Sequence, residues 1–125
     1  MKPLSTPHAP KALGHYEQGM SHNGLIFVSG QLPINPENPE AEAGDIEAQT
    51  LQTLSNLEAV LKAAGSDRRD ILKVTVYIAD LALWGRMNAA YAEFFGDHKP
   101  ARAAVPVPNL PKGFLLEIEA IAKEK

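Results

Sequence analysis

The segment that most constrains the fold is ILKVTVYIA, residues 71–79. Alternate side chains of a β-strand point to opposite faces of the sheet. Here the alternation predicts one wholly apolar face, formed by Leu72, Val74, Val76 and Ile78. The other face, with Lys73, Thr75 and Tyr77, is mixed. The chain must therefore form a sheet that is covered on one face, and the rest of the sequence has to supply that cover.

Two amphipathic segments provide the predicted cover. Asp45 is placed as the N-cap of a helix over residues 46–64, and Gly65 fits the position just past its end. Asp80 is placed as the cap of a second helix over residues 81–95. The sequence therefore predicts a single α+β domain over residues 1–125, with one mixed sheet and two helices on one face.

The other predicted strands flank these helices in the sequence. Residues 24–31 form a strand, followed by a proline-rich loop at 33–44. Before them we expect an irregular arm at 1–11 and a short strand around 13–18.

The C-terminal part of the chain is expected to form a hairpin. Its strands are residues 102–108 and 114–122, and LPKG at 110–113 supplies the turn. Pro106 and Pro108 both lack an N–H donor on the same side of their strand, which indicates an edge strand.

Alternation also divides the side chains of these strands between the two faces. The helix-covered face is expected to carry Ile26, Val28, Leu72, Val74, Val76, Ile78, Val105, Val107, Leu116, Ile118 and Ala120. The second face is expected to carry Leu25, Phe27, Ser29, Gln31, Lys73, Thr75, Tyr77, Arg102, Ala104, Leu115, Glu117, Glu119 and Ile121.

This second face is too apolar to face water and too charged for an ordinary core. A contiguous apolar patch usually marks an interface, so we expect the face to pack against another copy of the chain. Charges buried there must be paired or must line a small wet cleft. Arg102 and Glu117 are the charged residues that this argument selects.

Composition excludes several classes of function. The net charge of −3 argues against nucleic acid as a partner. The absence of cysteine excludes disulfides and thiolate catalysis, and the four histidines form no metal-binding motif, so we expect no metal site. The sequence has neither a signal-peptide pattern at its start nor an apolar run that could span a bilayer, so we expect a cytoplasmic protein without a membrane partner.

Several segments resemble the Rid family, the YjgF-type reactive-intermediate (imine) deaminases. Arg102 stands in PAR at 100–102, and this motif is followed by the most specific block, LPKGFLLEIEAIA at 110–122. The resemblance also rests on APKALGHYEQG at 9–19, FVSGQLP at 27–33, LSNLEAVLKAAG at 54–65, LKVTVYIADL at 72–81 and MNAAYAEFF at 87–95.

The resemblance implies a chorismate-mutase-like α+β fold that assembles as a homotrimer. The helices would lie outside, the sheets would face inward, and three clefts would lie between subunits. The substrates would be 2-imino acids or their enamine tautomers, such as 2-aminoacrylate, which water converts to 2-keto acids and ammonia. No cofactor is implied, because the imine carbon is already electrophilic.

The resemblance also assigns roles to five residues of this chain. Arg102 would grip the substrate carboxylate with two parallel donors. Glu117 would orient or activate the water. Tyr16 would close the pocket, Gly30 would help to line it, and Asn88 would lie near it. Two features depart from the family pattern: Ala104 replaces a Cys or Ser, and a shortened loop puts Lys99 where relatives have an aromatic or apolar residue.

The residues alone leave structural alternatives open. Arg102 could form an ion pair with Glu117 or Glu119 across the predicted hairpin. Tyr16 could be an ordinary packing aromatic. In the same way, Asn88 would bond a loop and Gly30 would mark a strand bulge.

Two alternatives also concern function. One is a non-catalytic trimer that binds 2-keto acids or other small carboxylates in the same clefts and has a regulatory role. The other is nucleic-acid processing, against which the negative net charge and the lack of a basic stripe count.

Overall fold

One six-stranded sheet and two helices make up the computed structural model, which describes all residues from 1 to 125. The strands are β1 (Lys2–Leu4), β2 (Gly19–His22), β3 (Leu25–Gln31), β4 (Ile71–Ile78), β5 (Ala101–Pro106) and β6 (Leu116–Lys123). The helices are α1 (Ile46–Ala63) and α2 (Trp84–Phe95), and short 3-10 turns occupy Arg68–Asp70, Leu81–Leu83 and Pro111–Gly113. This architecture confirms the α+β prediction of one mixed sheet with two helices.

The strand order is β1-β2-β3-β6-β4-β5. β4 pairs with β5 in parallel, because α2 carries the chain back between them, and every other pairing is antiparallel. The predicted hairpin of residues 102–108 with 114–122 is therefore wrong, since β6 lies between β3 and β4 and does not contact β5 as a neighbour. The edge position predicted from Pro106 is confirmed.

The N-terminal arm differs from the expectation. Residues 2–4 form the outer strand β1, and the strand expected around 13–18 instead begins at Gly19. The Gln18 side chain holds the arm in place, because its amide oxygen accepts from Thr6 N at 2.7 Å and its nitrogen donates to Pro10 O at 2.8 Å. Hydrogen bonds from the buried Gln18 amide thus take the place of the strand pairing that was predicted around residues 13–18.

Helix α1 begins where the sequence indicates and ends one residue earlier, whereas α2 begins at Trp84, three residues after the predicted start. Asp45 caps α1 by accepting from Ala48 N at 2.9 Å, and Gly65 follows the last turn with φ +77°. Asp80 caps the short turn at Leu81–Leu83, which leads directly into α2. Gly96 ends α2 with φ +62°.

An ion pair ties the two helices together. Glu58 of α1 accepts from Arg68 Nε at 2.9 Å and from Nη2 at 2.7 Å, and Arg68 Nη1 donates to the Phe94 carbonyl of α2 at 2.7 Å. Burial alone would raise the pKa of Glu58, but the hydrogen bonds from Arg68 outweigh it and lower that pKa. The C-terminal end of α2 is therefore fixed against α1.

Two bulges change which residues face the helices. The β4–β6 register shifts between Ile71 and Lys73, which leaves Leu72 46% exposed and buries Ile71 instead. The β3–β6 register shifts between Val28 and Gln31, so that Gln31 is buried opposite Ile118. The face assignments of Leu72 and Gln31 were therefore wrong, because an extra residue inverts the alternation beyond it.

The faces of β5 were also predicted wrongly. Arg102 is the partner of Val74, a core residue, so Arg102 and Ala104 lie on the helix side of the sheet. Val105 pairs with Tyr77 and lies on the second face. β5 contains alanine, arginine, valine and proline, without a regular alternation of polar and apolar residues. Which residues face the helices is therefore set by its pairing with β4.

The core lies between the sheet and the helices. It contains fully buried leucines of α1 and the inward residues of β4 and β6. No helix in the structure combines the length and the apolar character that crossing a membrane requires.

Two leucines of α1 test this arrangement. Leu54 is fully buried, whereas Leu51 is 37% exposed on the outer side of the same helix. We expect Leu54→Ala to lower the free energy of unfolding by about 3 kcal/mol, because it leaves a cavity in the core. Leu51→Ala should cost less than about 1 kcal/mol. Urea unfolding measures both values, and equal losses would contradict the burial pattern.

Candidate functional site

Arg102 is held by residues of α2. Its Nη1 donates to Asn88 Oδ1 at 2.8 Å. The guanidinium carbon lies 4.7 Å from the centre of the Tyr91 ring and 5.4 Å from the Trp84 ring. The hydrogen bond and the two aromatic faces fix the orientation of a half-buried cation. The parallel β4–α2–β5 crossover brings these residues together.

Arg102 has no carboxylate partner within the chain. Every ion pair of the structure involves other basic residues. The alternative in which Arg102 bridges to Glu117 or Glu119 is therefore contradicted. A guanidinium has five N–H donors, and the one hydrogen bond to Asn88 leaves most of them free for an anion.

A cavity of about 400 Å³ opens beside this arginine. Residues of α2 and of the segment that leads into β5 line it. They are Asn88, Tyr91, Ala92, Phe95, Gly96, His98, Lys99, Pro100 and Arg102. Two of the predicted site residues, Arg102 and Asn88, thus share one cavity.

A second group forms around Glu117, on the opposite face of the sheet. Glu117 of β6 is paired with Tyr77, and its carboxyl group lies over Gly30 of β3. A Cβ atom at position 30 would lie 3.0 Å from Glu117 Cδ, closer than side chains normally approach. Gly30 therefore both belongs to the bulge of β3 and makes room for the carboxylate.

The environment of Glu117 favours its protonated form. Burial raises the pKa of Glu117 above its ordinary value, and the neighbouring charge of Glu119 raises it further. The Tyr77 hydroxyl donates to Glu119, and this hydrogen bond is the main cause that raises the pKa of Tyr77. The second face therefore carries a compact group of two carboxyls and a phenol.

One chain does not bring these two groups together. Arg102 lies on the helix side of β5, whereas Glu117 lies on the other face of β6, and β4 separates the two strands. β5 and β6 are two strand spacings apart, which alone separates them by about 10 Å. Tyr16 is 53% exposed in the loop before β2, and its ring lies against Gly14.

Sequence reasoning missed the two aromatic supports of Arg102. Tyr91 is buried in the core and also faces Arg102, whereas Trp84 is 38% exposed. The sequence contained a signal for this arrangement. Trp84 and Tyr91 are spaced four and three residues from Asn88, so helical periodicity puts all three on one face of α2. No group of three or more His, Asp or Glu side chains in the structure could hold a metal ion.

The pKa of Glu117 gives a test of the second group. We expect the Glu117 carboxyl to titrate above its ordinary value of 4.5. Glu119→Gln should lower this pKa only in part, because burial is the larger cause and remains. Carbon-detected NMR titration of the side-chain carboxyls measures the change.

The matched control is Glu93→Gln, which removes an exposed carboxylate of α2 and should leave Glu117 unchanged. A pKa that is higher in the folded than in the unfolded state also makes the free energy of unfolding depend on pH. As the pH rises from the unfolded pKa of Glu117 through its folded pKa, the free energy of unfolding falls, because the unfolded chain releases that proton first. A Glu117 pKa at or below 4.5 would contradict the buried placement.

The comparisons with known proteins cover nearly the whole chain. The family model described as endoribonuclease L-PSP matches residues 6–124. A RutC family protein from Pyrococcus horikoshii is 50% identical over 119 residues, which are 95% of this chain and 94% of the relative. The 2-iminobutanoate/2-iminopropanoate deaminase of Escherichia coli K12 is 44% identical over 124 residues, with 97% and 96% covered. The crystal structure of E. coli TdcF with bound serine is 40% identical and matches with a TM-score of 0.95 over 100% of both chains.

Proposed function

This chain belongs to the endoribonuclease L-PSP family of YjgF-type Rid proteins, and from that premise we propose that it hydrolyses reactive 2-imino acids to 2-keto acids and ammonia. The substrates would be 2-iminopropanoate, 2-iminobutanoate and the enamine 2-aminoacrylate. The E. coli relative named for this activity supports the proposal, whereas the P. horikoshii relative carries only a family name. The observation that carries it is Arg102, an oriented guanidinium without a carboxylate partner beside a cavity.

We propose further that three copies assemble to complete the site. The second face leaves Leu25, Phe27 and Val105 exposed, although they sit in the sheet beside partly buried charges. Packing these faces together would remove apolar surface from water. A cleft between two subunits would set Arg102 and Asn88 of one chain against Gly30, Glu117 and Tyr16 of its neighbour, two groups that one chain holds apart.

The chemistry of the proposed site follows from its charges. Arg102 would bind the substrate carboxylate through two parallel N–H donors. Glu117, as a carboxylate, would accept a proton from water while the water oxygen bonds to the carbon of the protonated imine, and the electron pair of the C=N double bond moves to the nitrogen, which becomes an NH2 group. Glu117 would then give that proton to the nitrogen. As the C–N bond breaks and ammonia leaves, the hydroxyl group would pass its proton to the Glu117 carboxylate, so that the C=O bond of the 2-keto acid forms, and Glu117 would finally release that proton to water.

A raised pKa suits this role of Glu117. A group that both accepts and returns a proton works best when its pKa lies near the working pH, and burial moves Glu117 in that direction. The imine carbon is already electrophilic, so the proposed reaction uses only side chains of this protein. Tyr16, exposed on a loop, would close the pocket over the substrate.

Ala104, two residues after Arg102, departs from the family pattern. It lies on the helix side of β5, opposite Val76, and packs against the core. The resemblance places a Cys or Ser at this position in many relatives, so this chain lacks one polar contact there. The carboxylate clamp of Arg102 is independent of that contact.

The first test is keto-acid release in a coupled assay. A serine or threonine dehydratase generates the imine, semicarbazide competes for it, and the protein is added. We expect wild type to speed keto-acid formation and Arg102→Ala to lower kcat/KM at least about 100-fold, roughly 2.7 kcal/mol, through loss of a charged clamp. Arg102→Lys should recover only part of this, because lysine lacks the fork.

Arg86→Ala is the matched control. Arg86 lies on the same helix as Asn88, but it pairs with Glu47 at the surface and should leave activity within about twofold. If wild type leaves the rate unchanged yet binds pyruvate, the protein is a carboxylate-binding member without catalysis. The serine found in the related TdcF structure gives that second candidate its support.

The assembly has its own test. We expect light scattering at micromolar concentration to give three times the mass of one chain. Phe27→Glu should yield monomers and abolish turnover, because a charge replaces an exposed aromatic of the second face. Leu81→Glu, at an exposed apolar residue beside α2, should leave a trimer. A wild-type monomer would contradict both the interface and the shared cleft.

A further inference from the structure

The cavity beside Arg102 contains a second cation that the proposed reaction does not use. Lys99 lines the same cavity and takes part in no ion pair. We propose that the preferred substrates are 2-imino diacids, the imines of acidic amino acids, with Arg102 binding the carboxylate next to the imine and Lys99 binding the distal one. This inference rests on the proposed function and names its substrate class.

The walls of the cavity carry positive charge only. None of the nine lining residues is an aspartate or glutamate. Tyr91 stays a neutral phenol, because burial raises its pKa to about 12. Asp97, the nearest carboxylate in sequence, is exposed and does not line the cavity. A ligand that enters therefore meets two cations without a fixed counter-charge.

The two cations are spaced along an extended segment. Pro100 and Ala101 separate Lys99 from Arg102, so the two Cα atoms are at most about 11 Å apart. The long side chains of Lys99 and Arg102 both line the cavity, so they can bind the two carboxylates of one short dicarboxylic acid. The volume of about 400 Å³ falls within the range of roughly 300–1,000 Å³ found for small-molecule pockets.

His98 helps to fix the entrance of this segment. Its Nε2 lies 2.8 Å from the Ile71 carbonyl oxygen, which assigns Nε2 as the donor of that hydrogen bond. Its ring also meets the Phe95 ring edge-to-face at 6.1 Å. The residue before Lys99 is therefore anchored to β4 and α2, and Pro100 after it restricts the backbone further.

Electrostatics separates the two classes of substrate. An apolar side chain on the imine carbon would crowd the Lys99 ammonium and give nothing in return for lost water. A carboxylate in the same place would form a charged hydrogen bond with it. Arg102 serves both classes equally, so the preference depends on Lys99 alone.

The test compares two imines in one assay format. A flavin amino-acid oxidase releases the imine of alanine, and an oxidase for acidic amino acids releases the imine of aspartate or glutamate. Semicarbazone formation then measures how fast the protein removes each imine. We expect wild-type kcat/KM to be about 10-fold higher for the diacid, and Lys99→Gln to bring the two values within about threefold.

Lys2→Gln is the matched control, because Lys2 is an exposed lysine on the far edge strand and forms no ion pair. It should leave the preference unchanged. A wild-type protein that handles both imines equally, or a Lys99→Gln protein that retains the preference, would overturn the inference while leaving the deaminase proposal standing.

Calorimetry separates the remaining case. If no imine is hydrolysed, the proposed function fails. The affinities for 2-oxoglutarate, a diacid, and for pyruvate, a monoacid, then show whether the cavity prefers diacids. Tighter binding of 2-oxoglutarate by wild type, lost in Lys99→Gln, would support the diacid preference. Equal affinity for the two keto acids would overturn it.

Discussion

The parallel pairing of β4 with β5 is the constraint on which the rest of this structure depends. Parallel neighbours need a long crossover, and here α2 supplies it. The same helix presents Asn88, Trp84 and Tyr91 to Arg102. α2 therefore both makes the parallel β4–β5 pairing possible and orients the guanidinium of Arg102. The Glu58–Arg68 pair, which bonds the Phe94 carbonyl, then holds that helix in place.

The two faces of the sheet divide the chemistry between them. The helix side holds a cation and its supports, while the other side holds Glu117, a carboxyl group whose pKa burial raises. Each group is incomplete by itself for imine hydrolysis, which needs an anchor for the carboxylate and a group that moves a proton. Under the proposed function, activity would therefore depend on assembly as much as on the fold of one chain.

Much of the fold could be predicted from local signals. Asp45 and the glycines at 65 and 96 mark the start of α1 and the ends of both helices correctly, because capping is a matter of a few neighbouring residues. Asp80 caps a short 3-10 turn instead, and α2 begins after it. Strand partners were harder. The turn LPKG suggested a hairpin, but β6 pairs with β3 and β4 through contacts distant in sequence. Bulges at Leu72 and Gly30, invisible to simple alternation, then inverted faces beyond them. The motif selected the site residues as a set, and their shared role stays a prediction; the face of Arg102 was predicted wrongly because it depended on that unseen pairing.

Both outer strands of the sheet contain a proline. Pro3 lies in β1 and Pro106 in β5, and each removes an N–H from the free edge. Neither edge can therefore add strand after strand in an open-ended ladder. This arrangement fits the proposed assembly through faces of the sheet, which would be closed and of fixed size. Proline in an edge strand is one of the features by which proteins in general discourage pairing between sheets of different molecules, and this chain has it at both edges.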